Sequence, residues 1–230
     1  MNEAALVTAV EMSPETHFRI FRLGQWAEGA ECWLGSDGAR VWAACRDPFE
    51  LVDGEKTWVG VDVALKHDST AVAVVQQRPD GRWHVGARIW QPTEDGRLDV
   101  SEVMAYIREL VIRFDVQEVS FDPRFFDLPA AVLADEGVPM VEIPQHVSRM
   151  TPAVGATYEA VKRGEISHDG HADFTAQVLN AQARLNDAGF TLAKGKSRGK
   201  IDAAVAMCLA YHRAVSGESS VAAEPWFAFG

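Results

Sequence analysis

Three runs rich in β-branched and aromatic residues, TWVGVDVA (57–64), STAVAVVQQ (69–77) and WHVGARIW (83–90), follow one another with only short connections. Parallel neighbours need a crossover of a dozen or more residues, so these runs must pair antiparallel. The turn Arg78-Pro79-Asp80-Gly81-Arg82 closes the second hairpin. The period then changes. Val100, Val103, Ile107, Leu110 and Phe114 recur at helical spacing, and QEVSFD (117–122) returns to alternation as a fourth strand. Beyond it the pattern predicts a helix over 125–136, a strand VPMVEI (138–143), helices over 148–163 and 172–187, and a last helix over 201–215. The expected fold is α/β: a mixed sheet of three antiparallel strands followed by parallel strands, with helices on both faces.

That order resembles the ribonuclease H-like fold. It occupies residues 51–216, leaving 1–50 as a lead-in or interdomain linker and 217–230 as a flexible tail. The lead-in has one short helical segment opened by Ser13, Pro14 and Glu15, then Gly-rich turns and exposed-looking tryptophans. With 230 residues and 47% hydrophobic content the chain can build a real core. Its net charge of −11 argues against coating nucleic acid by bulk electrostatics, although a local basic loop remains compatible with DNA. Cys32, Cys45 and Cys208 have no metal or disulfide spacing. No signal peptide or membrane-length apolar run is present, so a cytoplasmic location is expected.

Three acids occupy positions where chemistry is possible. Asp62 ends the first strand, Asp122 ends the fourth before Pro123, and Asp202 precedes the apolar run of the last helix. Each has an ordinary alternative: a solvated strand end, a turn starter and a helix N-cap. In this fold, however, the three ends can converge in one cleft. Clustered carboxylates repel one another unless a hard cation neutralises them, and Mg²⁺ takes carboxylate, phosphate and water oxygens. Just before Asp202, KGKSRGK (194–200) gathers Lys194, Lys196, Arg198 and Lys200, with Gly195 and Gly199 as hinges, either a solvated loop or a phosphate-contacting one.

Taken together, WVGVDVALKHDSTAVAVV, VSFDPRFFD and KIDAAVAMCLA resemble the nuclease domain of the large terminase subunit of tailed bacteriophages. FRIFRLGQWAEGAECWL and GEISHDGHADFTAQVLNA add to the likeness. The resemblance implies a metal-dependent endonuclease that cuts concatemeric viral DNA during packaging, in the cytoplasm of an infected bacterium. It implies Asp62, Asp122 and Asp202 as ligands of two Mg²⁺ or Mn²⁺ ions, with double-stranded DNA, an ATPase motor domain, a portal and a small terminase subunit as partners. No membrane partner is expected. Asp68 and His168 are candidate accessory residues, and Lys66 a candidate phosphate contact.

A motor is not expected within these residues. GFTLAKGKS (189–197) has one residue too many between Gly189 and Gly195 for a Walker A loop. HDGHAD (168–173) suggests a second metal site on paper, but solvated turn residues explain it better. Trp26, Trp33, Trp42 and Trp226 are expected to serve packing or partner contact, since duplex DNA offers no base faces. Three rival functions remain: a junction resolvase or transposase core with the same acids, a nucleotide-dependent switch of the actin and sugar-kinase type, and a non-catalytic packaging docking module. Against the switch, Val63, Ala64 and Leu65 follow Asp62 where its phosphate turn needs glycine.

Overall fold

A computed structural model describes residues 32–64, 68–92, 98–197 and 199–217. The predicted helix at Ser13, Trp26, Lys66, Arg198, Trp226 and the tail from 218 lie outside the described residues, as does the side chain of Lys196. A short helix α1 (Gly38–Ala44) precedes strands β1 (Lys56–Asp62), β2 (Thr70–Gln77) and β3 (Trp83–Trp90). There follow α2 (Val100–Arg113), β4 (Asp115–Phe121), α3 (Pro123–Asp135), β5 (Met140–Glu142), α4 (Val147–Arg163) and β6 (Ile166–Ser167). The chain continues through α5 (Ala172–Asn180), the hairpin β7 (Ala183–Asn186) and β8 (Gly189–Leu192), a 3₁₀ turn (Lys194–Lys196) and α6 (Asp202–Ser216).

The large sheet has the order β5-β4-β1-β2-β3-β6. β1–β2 and β2–β3 are antiparallel, while β4, β5 and β6 join in parallel. Both faces are covered, which is why β2 reads as a continuous apolar run instead of alternating. On one face Val59, Val61, Val72 and Val74 meet Val103, Ile107 and Leu110 of α2 and Phe126 and Leu133 of α3. On the other, Ala71, Ala73, Val75 and Val85 meet α4 and α6. α6 is buried from Asp202 to Tyr211, consistent with a segment apolar all round.

Gly60 sets how closely α6 approaches the sheet. A Cβ there would lie 2.1 Å from the carbonyl oxygen of Ala206 and 2.9 Å from the amide nitrogen of Ala210. The bare backbone lets the helix lie directly on β1. From this contact Asp62 is two residues along the strand, about 6.6 Å. Asp202 is one turn back along the helix from Ala206, about 6 Å. The two carboxylates therefore arrive at the same end of the contact.

Several expectations are corrected. The helix expected over 172–187 stops at Asn180, and its second half is the β7–β8 hairpin. Asn186-Asp187-Ala188-Gly189 turns the chain there, with Asn186 Oδ1 accepting from the Ala188 amide at 2.9 Å and Gly189 at φ +140°. Trp33 and Trp42 are core residues at 0% and 1% exposure, not exposed ones. Trp33 Nε1 donates to the Val178 carbonyl at 2.9 Å and Trp42 Nε1 to Thr175 Oγ1 at 3.2 Å, which pins α1 and the turn before it onto α5.

Candidate metal centre

Asp62 and Asp202 are 3% and 1% exposed, and the structure brings them together around one ammonium. Lys194 Nζ lies 2.6 Å from Asp62 Oδ2 and 2.8 Å from Asp202 Oδ1. Asp62 Oδ1 accepts from Gln145 Nε2 at 3.0 Å. Among the described residues its buried Oδ2 has the Lys194 ammonium beside it but no donor aligned as a hydrogen bond. Burial, reinforced by the charge of Asp202 and opposed by Lys194, pushes the Asp62 carboxyl up to about 6. Burial opposes the charge on Lys194, but the two carboxylates outweigh it and raise its pKa.

Asp202 is the first residue of α6 and does not cap it; the N-cap is Ile201, without a side-chain bond. The carboxylate is instead held from behind. Ser69 Oγ donates to Asp202 Oδ2 at 2.5 Å and accepts from Gln177 Nε2 at 3.1 Å, while Gln177 Oε1 accepts from the Ala203 amide at 2.7 Å. Sequence reasoning missed Gln145, Ser69 and Gln177. For Gln177 a signal existed: a polar residue between Phe174 and Val178 on the buried stripe of α5.

Asp122 directly follows Phe121, whose register partner across β1–β4 is Val61, so Asp122 and Asp62 end adjacent strands. Neighbouring strands are about 5 Å apart. The Asp122 side chain, half-buried, turns toward its own helix and accepts from the Arg124 amide at 3.2 Å. Among the described residues, no three His, Cys, Asp or Glu side chains are drawn close enough to hold an ion. The expected triad is thus a formed pair with its third member adjacent and engaged in capping.

Asp68 caps its own turn, accepting from the Ser69 amide at 2.9 Å. Burial and then the negative charge of Asp202 raise its pKa, which places it on the edge of the same cluster. His168 is elsewhere. It follows Ser167, whose partner His84 is near the start of β3; β3 begins beside Gln77, at the Thr57 end of β1. Five strand residues, about 17 Å, separate that end from Asp62. His168 stacks on Trp42 at 4.0 Å between ring centroids, and its Nε2 contacts the Trp42 carbonyl at 2.9 Å. It is a buried packing histidine, and its expected accessory role at the cleft is corrected.

The basic run is also split. Lys194 points inward at the acids, while Lys200 Nζ donates to Gln91 Oε1 at 2.9 Å. Lys194 is therefore not the free phosphate contact that the sequence suggested.

The donor set fits a hard cation: two buried carboxylates, one oxygen lacking an aligned donor, a positive charge already between them, and further acids at the rim. Asp62, Asp202 and Asp122 are the residues that would hold such an ion.

Comparison with known proteins identifies the family of the domain. Residues 87–218 match the family described as terminase large subunit, endonuclease domain. Asp122, Lys194 and Asp202 fall inside that span and Asp62 before it. The large terminase subunit of Enterobacteria phage HK97 is 27% identical over 224 residues, covering 85% of this chain and 44% of that protein. The crystal structure of the HK97 large terminase superposes with a TM-score of 0.70 at 25% identity, over 92% of this chain and 50% of that one. The large terminase nuclease of thermophilic phage G20c, solved with bound magnesium, shares the fold with a TM-score of 0.56 at 15% identity. It covers 74% of this chain and 95% of that one. The chain spans about half the length of the HK97 protein.

Proposed function

The chain belongs to the endonuclease-domain family of terminase large subunits, and from that premise we propose that it is a metal-dependent endonuclease that cuts double-stranded viral DNA during phage genome packaging. The observation that carries the reading is the Asp62–Asp202 pair, almost wholly buried and gathered around a single cation. A buried acid pair of this kind costs several kcal/mol to maintain without a countercharge. Its presence where β1 and the start of α6 meet is explained by a cation that works there.

Asp62, Asp202 and Asp122 would together hold two divalent ions, Mg²⁺ or Mn²⁺. The bound magnesium of the G20c nuclease supports the choice of ion. When bound, such ions supply Lewis acidity to the scissile phosphodiester and lower the pKa of an attacking water. The chain's own residues do the positioning. Ser69 and Gln177 fix Asp202, Gln145 fixes Asp62, and Asp122, now bonded to the Arg124 amide, would be the third residue to hold an ion. Asp68 sits where it can accept a proton beside Asp202. Lys196, Arg198 and Lys200 supply phosphate contacts that place the duplex without reading its bases.

Because the chain carries a net charge of −11, duplex binding is weak and salt-sensitive. An ATPase motor, a portal and a small terminase subunit are the proposed partners, with the cytoplasm of the infected bacterium as the setting. No helix among the described residues is long and apolar enough to cross a membrane.

Nicking of supercoiled plasmid tests the assignment. Asp62→Asn, Asp122→Asn and Asp202→Asn should each lose at least about a hundredfold in Mg²⁺- or Mn²⁺-dependent cleavage while keeping the wild-type circular dichroism, since an ion site is worth several kcal/mol. Undiminished cleavage in these variants contradicts the reading. Preference for four-way junctions over linear duplex would move it to a resolvase of the same fold.

A further inference from the structure

The Lys194 ammonium occupies the position that a cation shared by Asp62 and Asp202 would occupy, at 2.6 and 2.8 Å from their oxygens. A hard divalent ion bonds carboxylate oxygens at about 2.0–2.6 Å. An ion and an ammonium cannot both sit against Asp62 Oδ2, because they would overlap and repel. The acid pair thus has one position and two possible occupants.

The route matters as much as the position. The acids are buried, but the Lys194 side chain is 41% exposed, so it covers the pair from the solvent side, where an ion from solution must enter. Its attachment permits withdrawal. Lys194 opens the 3₁₀ turn after β8, and the next residue, Gly195, has nothing within 4 Å of where a Cβ would be. The supports of the acids come from elsewhere: Ser69 and Gln177 hold Asp202 and Gln145 holds Asp62, so the pair keeps its geometry when the lysine leaves.

We propose that Lys194 is a built-in cation that holds the acid pair closed when no metal is bound and is displaced when a divalent ion enters. The proposal rests on the reading of Asp62 and Asp202 as metal ligands. It makes the lysine an autoinhibitory residue, and it predicts that removing the residue tightens metal binding. If the pair is uncovered in about one molecule in ten, apparent metal affinity is reduced about tenfold.

Two measurements without DNA test it. In calorimetric titration with Mn²⁺, Lys194→Met should bind about tenfold more tightly than wild type. Lys56→Ala, which removes a charge at the opposite end of β1 from Asp62, should change affinity less than about twofold. In the wild-type chain, amine acylation read by mass spectrometry should label Lys194 slowly without metal and several-fold faster with saturating Mn²⁺, with the exposed Lys56 unchanged. Unchanged or weaker Mn²⁺ binding by a folded Lys194→Met, or Lys194 labelling that is indifferent to bound Mn²⁺, overturns the lysine's role and leaves the metal site standing. Absence of Mn²⁺ binding in both wild type and Lys194→Met overturns the metal site itself, and the lysine proposal with it.

Discussion

Gly60→Ala adds one methyl group at the point where α6 lies on β1. The new Cβ would be 2.1 Å from the Ala206 carbonyl oxygen, against the 3.0 Å below which real contacts essentially do not go. The obstacle is helix backbone, so α6 must move by at least about 0.9 Å. A gap of 0.5–1 Å forfeits roughly a quarter to a half of the dispersion energy across an interface. Overpacking of this kind costs about 1–3 kcal/mol, and a rigid obstacle puts Gly60→Ala near the upper figure. At roughly 2–4 °C per kcal/mol for a domain of this size, the melting temperature should fall by about 6–12 °C. The same shift acts on the site. Added along the 2.8 Å contact between Lys194 and Asp202, it takes that contact out of hydrogen-bond range and parts Asp202 from Asp62. Differential scanning fluorimetry and Mn²⁺ titration read both effects. Gly86→Ala is the control, since nothing lies within 4 Å of that Cβ position. A Gly60→Ala protein melting within about 2 °C of wild type, with Mn²⁺ affinity intact, would refute the close-approach reasoning.

Two further predictions concern buried charge. Glu118 and Arg213 form a two-point ion pair at 2.6 and 2.8 Å between β4 and α6. Glu118→Ala should cost about 3–5 kcal/mol in urea unfolding, and the double variant Glu118→Leu with Arg213→Leu should be more stable than that single one. At alkaline pH, burial pushes the Cys208 thiol and the Tyr158 and Tyr211 hydroxyls up to about 12. The folded chain then keeps protons that the unfolded chain has released, so stability falls as pH rises from about 9 toward 12. Cys208→Ala should remove up to about 1.4 kcal/mol per pH unit of that slope, beginning near the unfolded thiol's pKa. An unchanged slope between about pH 9 and 11 would contradict the assignment.

Much of the frame was legible because periodicity reports burial directly. The three opening strands, the amphipathic α2 and the apolar α6 each carry their own signature. Asp62 stood out as an acid ending a buried strand, and Asp202 as an acid in front of an apolar helix. What could not be read depends on which way a side chain turns. KGKSRGK shows four cations in seven residues, yet Lys194 turns in toward the acids while Lys200 meets Gln91. The supports Ser69, Gln145 and Gln177 come from three distant segments, so no local pattern links them. Trp33, Trp42 and His168 look like surface residues beside glycines and acids, but they stack into a core whose other half lies more than a hundred residues away. The β7–β8 hairpin failed for the opposite reason: its residues are equally compatible with extending α5, and only the turn at Asn186–Gly189 decides.

Anomalous diffraction from crystals soaked in Mn²⁺ addresses the Asp62–Asp202 pair most directly. A peak within about 2.0–2.6 Å of oxygens from both carboxylates, with Lys194 Nζ withdrawn from its position between them, is the predicted result. A fully bound lysine and no peak at these acids, in crystals soaked at saturating Mn²⁺, would contradict it.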